Sequence, residues 1–268
     1  MNTESEISLI ICSNNIQTIL DKVKGIHNIN DFKIDYNSDE RIIDTYFDDI
    51  SDSLYKKKFT LRIRDKNDTN IITLKGPPKY EFHSISRSEN EYKWSEEAFG
   101  IITKLLKEII EIDGKKIGKC FDKNPIKTLQ QLGFREIHTH INNRKIFDVI
   151  KTNDLKNDLI SEMDIDDVTF SLKSNLKLFN VSVINIEIEK KGKTNQDVSS
   201  VIKIITNYLK QEFGIDTIRE WKYGKLALGK GIKKLYKENK LKEFIGSNNY
   251  LKCNALDKIK EFVDNKLI

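Results

Sequence analysis

The chain has 268 residues, with 46 Lys and Arg against 41 Asp and Glu, a formal charge of +5, and 38% hydrophobic residues. That apolar content supports a core and excludes wholesale disorder, and the near balance of charge, at an isoelectric point near 8.8, admits an anionic partner without demanding nucleic acid. Three scattered cysteines (Cys12, Cys120, Cys253) support neither a disulfide framework nor a Cys zinc site, the opening Met1-Asn2-Thr3-Glu4 lacks a secretory pattern, and no apolar run approaches the length of a membrane helix, so a cytoplasmic protein with no membrane partner is expected.

In chain order, residues 4–12 alternate polar and β-branched side chains and read as a first strand. Residues 15–26 place Ile16, Ile19, Leu20 and Val23 on one stripe and read as a helix. Strands follow at 41–47, 59–64, 70–75 and 89–92, with turn signals at Asp65-Lys66-Asn67-Asp68 and Gly76-Pro77-Pro78. A second helix is expected over 95–112, with Ser95 as N-cap and Phe99, Ile102, Leu105, Leu106 and Ile109 at helical spacing. Strands at 134–141 and 145–150 flank a turn expected at Asn142-Asn143, and further strands are expected at 159–165, 168–172 and 179–189. Thr194-Asn195-Gln196-Asp197 resembles a capping box ahead of a helix over Val198–Phe213. Beyond about Gly231 the strand signals stop, and residues 232–268 read as a Lys-rich helical extension to a domain spanning 1–231. Many strands with few helices predict an α+β chain, an antiparallel barrel or sandwich with helices at its ends or flanks.

The chemistry lies in which strand face holds the charges. Residues i and i+2 of a strand share a face. Glu4 and Glu6 form one such pair, Arg62 and Arg64 another, Arg87, Glu89 and Glu91 a triplet, and Glu187 and Glu189 a further pair opposite Ile186 and Ile188. One pair alone reads as a solvated face. The recurrence of like charges is different, because adjacent like charges repel unless something sits between them. Paired carboxylates suit a hard divalent cation, and paired arginines suit a polyanion.

Several short segments also run in a recognisable order: Glu4-Ser5-Glu6, Asp44-Thr45-Tyr46-Phe47-Asp48, Leu61-Arg62-Ile63-Arg64, Thr73-Leu74-Lys75-Gly76-Pro77, Arg87-Ser88-Glu89-Asn90-Glu91, Arg144 with Phe147, Ile165-Asp166-Asp167-Val168, Glu187-Ile188-Glu189, and Gly224-Lys225-Leu226-Ala227-Leu228-Gly229. They resemble the ExExK, YFD, LRxR, TxKGP, RxExE, RxxY/F, LDxV, ExE and SKxxxG elements of the CYTH family, the triphosphate tunnel metalloenzymes, in which the LDxV element implies a turn at Ile165–Val168. The resemblance covers residues 4 to about 230. Two positions depart from it: Ser8 stands where the ExExK lysine would be, and Asn142 where a lysine often precedes the later arginine. Both reduce the positive charge offered to a phosphate chain.

The resemblance implies an eight-stranded antiparallel β-barrel forming a tunnel, with helices outside. It also implies a triphosphate-bearing small molecule as substrate (inorganic, thiamine or nucleoside triphosphate, or an RNA 5′ end) and Mg²⁺ or Mn²⁺ as cofactor. The leading expectation is a metal-dependent triphosphatase. A class IV-type adenylate cyclase and a weakened phosphate- or polyphosphate-binding module are the alternatives. By resemblance, Arg62, Arg64, Arg87 and Arg144, with Lys225, would grip phosphate. Glu4, Glu6, Glu187 and Glu189, with Asp166, Glu89 and Glu91, would hold the metal. Lys75, near Tyr46, would activate water, with a substrate clamp as its competing role. His138 and His140 share a strand face and read as two partly exposed imidazoles rather than a metal pair, and Trp94 and Trp221 read as packing residues. Nucleic acid is not required, and the oligomeric state, a homodimer included, is left open.

Overall fold

The structure is a computed structural model that describes residues 2–13, 15–80, 85–113, 117–118, 120–153, 156–173, 178–191, 198–246 and 248–265. In chain order the elements are β1 (Asn2–Ile11), α1 (Ile16–Lys24), β2 (Asn28–Ile29), β3 (Phe32–Asp48), α2 (Ser53–Lys56), β4 (Thr60–Lys66), β5 (Thr69–Lys75), β6 (Lys79–Tyr80), β7 (Ile85–Lys93), α3 (Glu96–Ile109), α4 (Pro125–Gln131), β8 (Arg135–Asn153), β9 (Lys156–Lys173), β10 (Leu178–Lys190), α5 (Val198–Phe213), β11 (Ile218–Glu220), α6 (Gly224–Lys237), a 3-10 turn at Leu241–Phe244, and α7 (Cys253–Asp264). The strands hydrogen-bond in the order β11-β1-β10-β9-β8-β3-β4-β5-β7-β6, with β2 on β3 and β1 also pairing with β7. Every pair whose register is described is antiparallel. The α+β class is as expected. Eight strands run from seven to nineteen residues, and β2, β6 and β11 are only two or three residues long.

Two expected turns are absent. Asn142-Asn143 lies inside the unbroken β8, and Asp166-Asp167 lies inside β9, paired across to Asn185 and Ile184 of β10. Asparagine and aspartate signal turns because their side chains compete for the backbone. Here Asn142 and Asp166 sit on the charged face of the sheet and Asn143 and Asp167 on the opposite one, and the ladder continues through them. The capping-box signal at Thr194–Asp197 lies outside the described residues.

The chain divides into two compact units. The first comprises residues 1–4, 41–79 and 86–141. Its β4–β5 hairpin turns at Asn67 and Asp68, both at positive φ, which suits a two-residue turn of the type that matches strand twist. Leu61, Ile63, Ile72 and Leu74 point to one face and pack on Phe99, Ile102 and Leu106 of α3 and Leu129 of α4. Ser95 caps α3, its Oγ accepting from the Ala98 amide at 3.1 Å. The opposite face of the same strands is left for Arg62, Arg64, Thr73 and Lys75.

The second unit comprises residues 5–40, 80–85 and 142–268. Ile7, Leu9, Ile184, Ile186, Ile188, Met163 and Ile165 form one sheet face, covered by α1 (Ile16, Leu20, Val23) and α5 (Val201, Ile202, Ile205, Leu209). Part of the other face is also sealed: Ile10, Val168, Phe170, Val181 and Val183 pack under Leu228, Ile232 and Leu235 of α6 and Leu256, Ile259 and Phe262 of α7. The charged positions lie beside this second apolar patch, on the same face.

Candidate functional site

In the first unit, register sets the charges in rows. Tyr46 of β3 is opposite Arg62 of β4, Arg62 opposite Thr73 of β5, and Thr73 opposite Glu91 of β7. One row over, Asp44 faces Arg64; on the other side, Lys75 faces Glu89. Buried Asp44 receives a fork from Arg64, Nε to Oδ1 at 2.8 Å and Nη2 to Oδ2 at 2.9 Å, and a longer bond from Arg62 Nη1 at 3.4 Å. Arg62 also donates to Thr73 and Glu91 through Nη2, and its buried Nε has no hydrogen-bond partner among the described residues. Burial alone would raise the Asp44 carboxyl, but Arg62 and Arg64 outweigh it and hold the group well below the usual carboxylate range. Buried Lys75 pairs with Glu89 at 3.1 Å.

His138 and His140 are buried, not partly exposed as expected. His140 Nε2 lies 3.6 Å from Asp44 Oδ2, and both rings sit 5.6–6.0 Å from the Tyr46 ring. As i and i+2 residues of β8 they share one strand face, the one beside Asp44. Arg87 shares the strand face of Glu89 and Glu91 by the two-residue period.

In the second unit the rows run across β1, β10 and β9. Glu6 faces Glu189, which faces Glu162; Ser8 faces Glu187, which faces Asp164; Ile10 faces Asn185, which faces Asp166. Arg144 of β8 supplies the central cation. Its Nε donates to Asp166 Oδ1 at 2.7 Å, and its Nη2 to Asp166 Oδ2 and Glu187 Oε2, each at 2.8 Å. Its Nη1 pairs with Asp164. Lys225, at the start of α6, reaches Asp166 at 2.9 Å and also binds Glu187. Lys191 bridges Glu189 at 2.9 Å and Glu162 at 3.3 Å.

The carboxylates of this cluster do not behave alike. Against the cost of burial, Arg144 and Lys225 hold Asp166 down, and Lys225 leads the lowering of Glu187. Asp164 goes the other way, pushed up to about 8 by burial and by Asp166, Glu162 and Glu187, with Arg144 opposing. Its ion pair with Arg144 would argue for an ionised group. Arg144 is shared with Asp166 and Glu187, however, so Asp164 is the least compensated carboxyl of the cluster. Asp164 Oδ1 is buried with no hydrogen-bond partner among the described residues.

Asn142, two residues before Arg144 on the same strand face, is 1% exposed, and neither its Oδ1 nor its Nδ2 has a hydrogen-bond partner among the described residues. Ser8 Oγ donates to Asn185 Oδ1 at 2.6 Å, leaving Asn185 Nδ2 without one. The two positions that lack the family lysines are therefore filled by a buried hydroxyl and a buried amide.

The first-unit cluster collects Tyr46, Arg62, Arg64, Lys75, Glu89 and Glu91; the second collects Glu6, Arg144, Asp166, Glu187, Glu189 and Lys225. Glu4 lies on β1, and its side chain is outside the described residues. Sequence reasoning missed Asp44, Glu162 and Asp164. The last two were within reach, because Glu162, Asp164 and Asp166 alternate with Met163 and Ile165 in the same two-residue period. Among the described residues no three His, Cys, Asp or Glu side chains already converge as a metal cage. The donor set nonetheless fits a hard divalent cation: crowded carboxylate oxygens, one of them unbonded and buried. Trp94 and Trp221 donate to the backbone carbonyls of Asp122 and Gly224 and pack on aromatic neighbours.

A family model described as the CYTH domain matches residues 18–217, and the chain belongs to that family. No curated protein matches it. Among solved structures it is similar to a Hippeastrum protein assigned as an adenylyl cyclase and described with a dominant triphosphatase activity (16% identity, 86% of this chain and 96% of that one, TM-score 0.49). It is similar too to the PH1819 protein of Pyrococcus horikoshii (22% identity, 84% and 99%, TM-score 0.46). A third is the triphosphatase of the mimivirus capping enzyme (12% identity, 78% and 90%, TM-score 0.39). No helix among the described residues is long and apolar enough to cross a membrane.

Proposed function

We propose that the chain is a divalent-cation-dependent hydrolase of a triphosphate-bearing small molecule. The carrying observation is the charge set of the second unit, partly buried Arg144 and Lys225 against buried Asp164 and Asp166 and partly buried Glu187. Such a set is costly to desolvate and adds little stability over an apolar replacement, so it supports a charged ligand rather than a structural role.

Glu187 and Glu189, with Glu6, Glu162 and Asp164 beside them in register and Glu4 two residues before Glu6, would hold Mg²⁺ or Mn²⁺. That cation, when bound, offsets charge on the transferring phosphoryl oxygens. Arg62, Arg64 and Arg87 of the first unit, and Arg144 and Lys225 of the second, supply forked or point-charge donors for phosphate oxygens. Glu89 and Glu91 pair with Lys75 and with Arg62 and Thr73 in the cluster richer in cations, and are assigned to the phosphate-binding side rather than to the metal. The Lys75–Glu89 pair orients the attacking water and holds its proton, and Tyr46 buttresses the arginine row.

The test is product analysis. The chain is incubated with inorganic triphosphate, ATP and thiamine triphosphate in Mg²⁺ or Mn²⁺, and orthophosphate and cyclic AMP are measured. Orthophosphate release that stops with chelator is expected. Cyclic AMP as the main product would make it a cyclase, and tight binding without turnover would make it a binding module; either result overturns the hydrolase.

A further inference from the structure

Cys12 and Cys253 are 241 positions apart in the sequence, yet both lie in one apolar cluster of the second unit, Cys253 packed against the core that holds Cys12. Both are anchored to one short segment: the Cys12 amide donates to Thr217 O at 2.7 Å, and Cys253 Sγ to Asp216 O at 3.7 Å. Cys12 is buried at the end of β1, and Cys253 is partly exposed at the first turn of α7. Arg219 stands close by, bonded to Asp257 of α7 at 3.1 Å. The chain's third thiol, Cys120, is buried in the first unit.

We propose that Cys12 and Cys253 form a redox-active dithiol, in which a peroxide oxidises Cys253 and Cys12 resolves the product to a disulfide tying α7 to β1. The Cys253 thiolate attacks one peroxide oxygen, the O–O bond breaks, and the sulfur becomes a sulfenic acid as hydroxide leaves. Cys12 sulfur then attacks the Cys253 sulfur. The S–O bond breaks, and the departing hydroxide takes the Cys12 proton and leaves as water. Two thiols are oxidised and one peroxide is reduced to two waters.

The two sulfurs suit these roles differently. The neighbouring Cys12 thiol and the Arg219 charge bring Cys253 down to about 7 against the cost of its burial, and the first turn of a helix favours a thiolate in the same direction. The neighbouring Cys253 and burial push Cys12 up, which keeps it protonated until the sulfenic acid forms. The exposed thiol is thus the one that meets the oxidant, and the buried thiol is protected from everything but its partner.

The test exposes the reduced full chain to hydrogen peroxide, blocks remaining thiols with N-ethylmaleimide, and maps peptides by non-reducing mass spectrometry. A Cys12–Cys253 peptide with Cys120 alkylated is expected, reversible with dithiothreitol, and the oxidised chain should melt roughly 5–10 °C higher because the link closes a long loop. Without peroxide, Cys253 should alkylate roughly tenfold faster than Cys120 at neutral pH. In Cys12→Ser, checked for fold by circular dichroism, a dimedone adduct should accumulate on Cys253; in Cys253→Ser no adduct should form on Cys12. A wild-type chain that gives stable sulfenic acid at Cys253, or no oxidation there, without the linked peptide would overturn the proposal.

Discussion

The two units bury charge in opposite proportions. In the first, the buried carboxylate Asp44 serves two arginines. In the second, one arginine serves Asp164, Asp166 and Glu187, Lys225 adds to it at Asp166 and Glu187, and Lys191 alone serves Glu162 and Glu189. A cluster with arginines to spare suits an anion, and one with carboxylates to spare suits a cation. The same device produces both: alternation on a strand sends apolar residues to a helix-covered face and collects charge on the other.

The largest expected effect comes from breaking the second cluster at its centre. Arg144→Met leaves buried Asp164 and Asp166 and partly buried Glu187 with less compensation and should cost ~3–5 kcal/mol in urea unfolding. A loss under about 1 kcal/mol would mean that Lys225 or protonation already balances them. Its counterpart in the first unit is Asp44→Asn, which strands Arg62 and Arg64 and should cost about 3 kcal/mol. The pH dependence distinguishes the two arrangements. The Asp44 pKa is depressed on folding, so its contribution is present above the unfolded value near 4 and is lost as pH falls through the folded one. Asp44→Asn should therefore flatten the acid limb of the stability curve, and parallel acid limbs in wild type and variant would contradict the assignment.

Smaller effects test ligand affinity. Arg64→Ala should weaken tripolyphosphate binding by about 2 kcal/mol, read by calorimetry at fixed Mg²⁺. Wild-type affinity would make Arg64 only a partner for Asp44. Ser8→Lys or Asn142→Lys adds a cation where the family carries one, and should tighten the same titration by about 1 kcal/mol. Unchanged or weaker affinity would show that Lys225 or another cation already fills that role.

Much of this was legible in the sequence, and the limits have physical causes. Arg62 with Arg64 and Glu187 with Glu189 were visible because two-residue periodicity survives wherever one strand face is apolar. The same period marks Glu162 and Asp164, but they were hidden by reading Ile165–Val168 as a turn. Asn142-Asn143 misled for the same reason, since a turn propensity gives way inside a long strand. The burial of His138 and His140 follows from their placement beside Asp44, a tertiary fact with no local signal. Nor could spacing reveal that Cys12 meets Cys253, because that contact depends on where α7 packs.

The most direct test of the difference between the clusters is a Mn²⁺ titration followed by electron paramagnetic resonance on wild type, Glu189→Gln, Glu187→Gln and Glu89→Gln. The account predicts a saturable Mn²⁺ site in wild type that is weakened roughly 10–100-fold by either second-unit change and kept in Glu89→Gln. Loss of the site in Glu89→Gln, with both second-unit variants binding normally, would place the cation in the first unit and contradict the assignment of the two clusters.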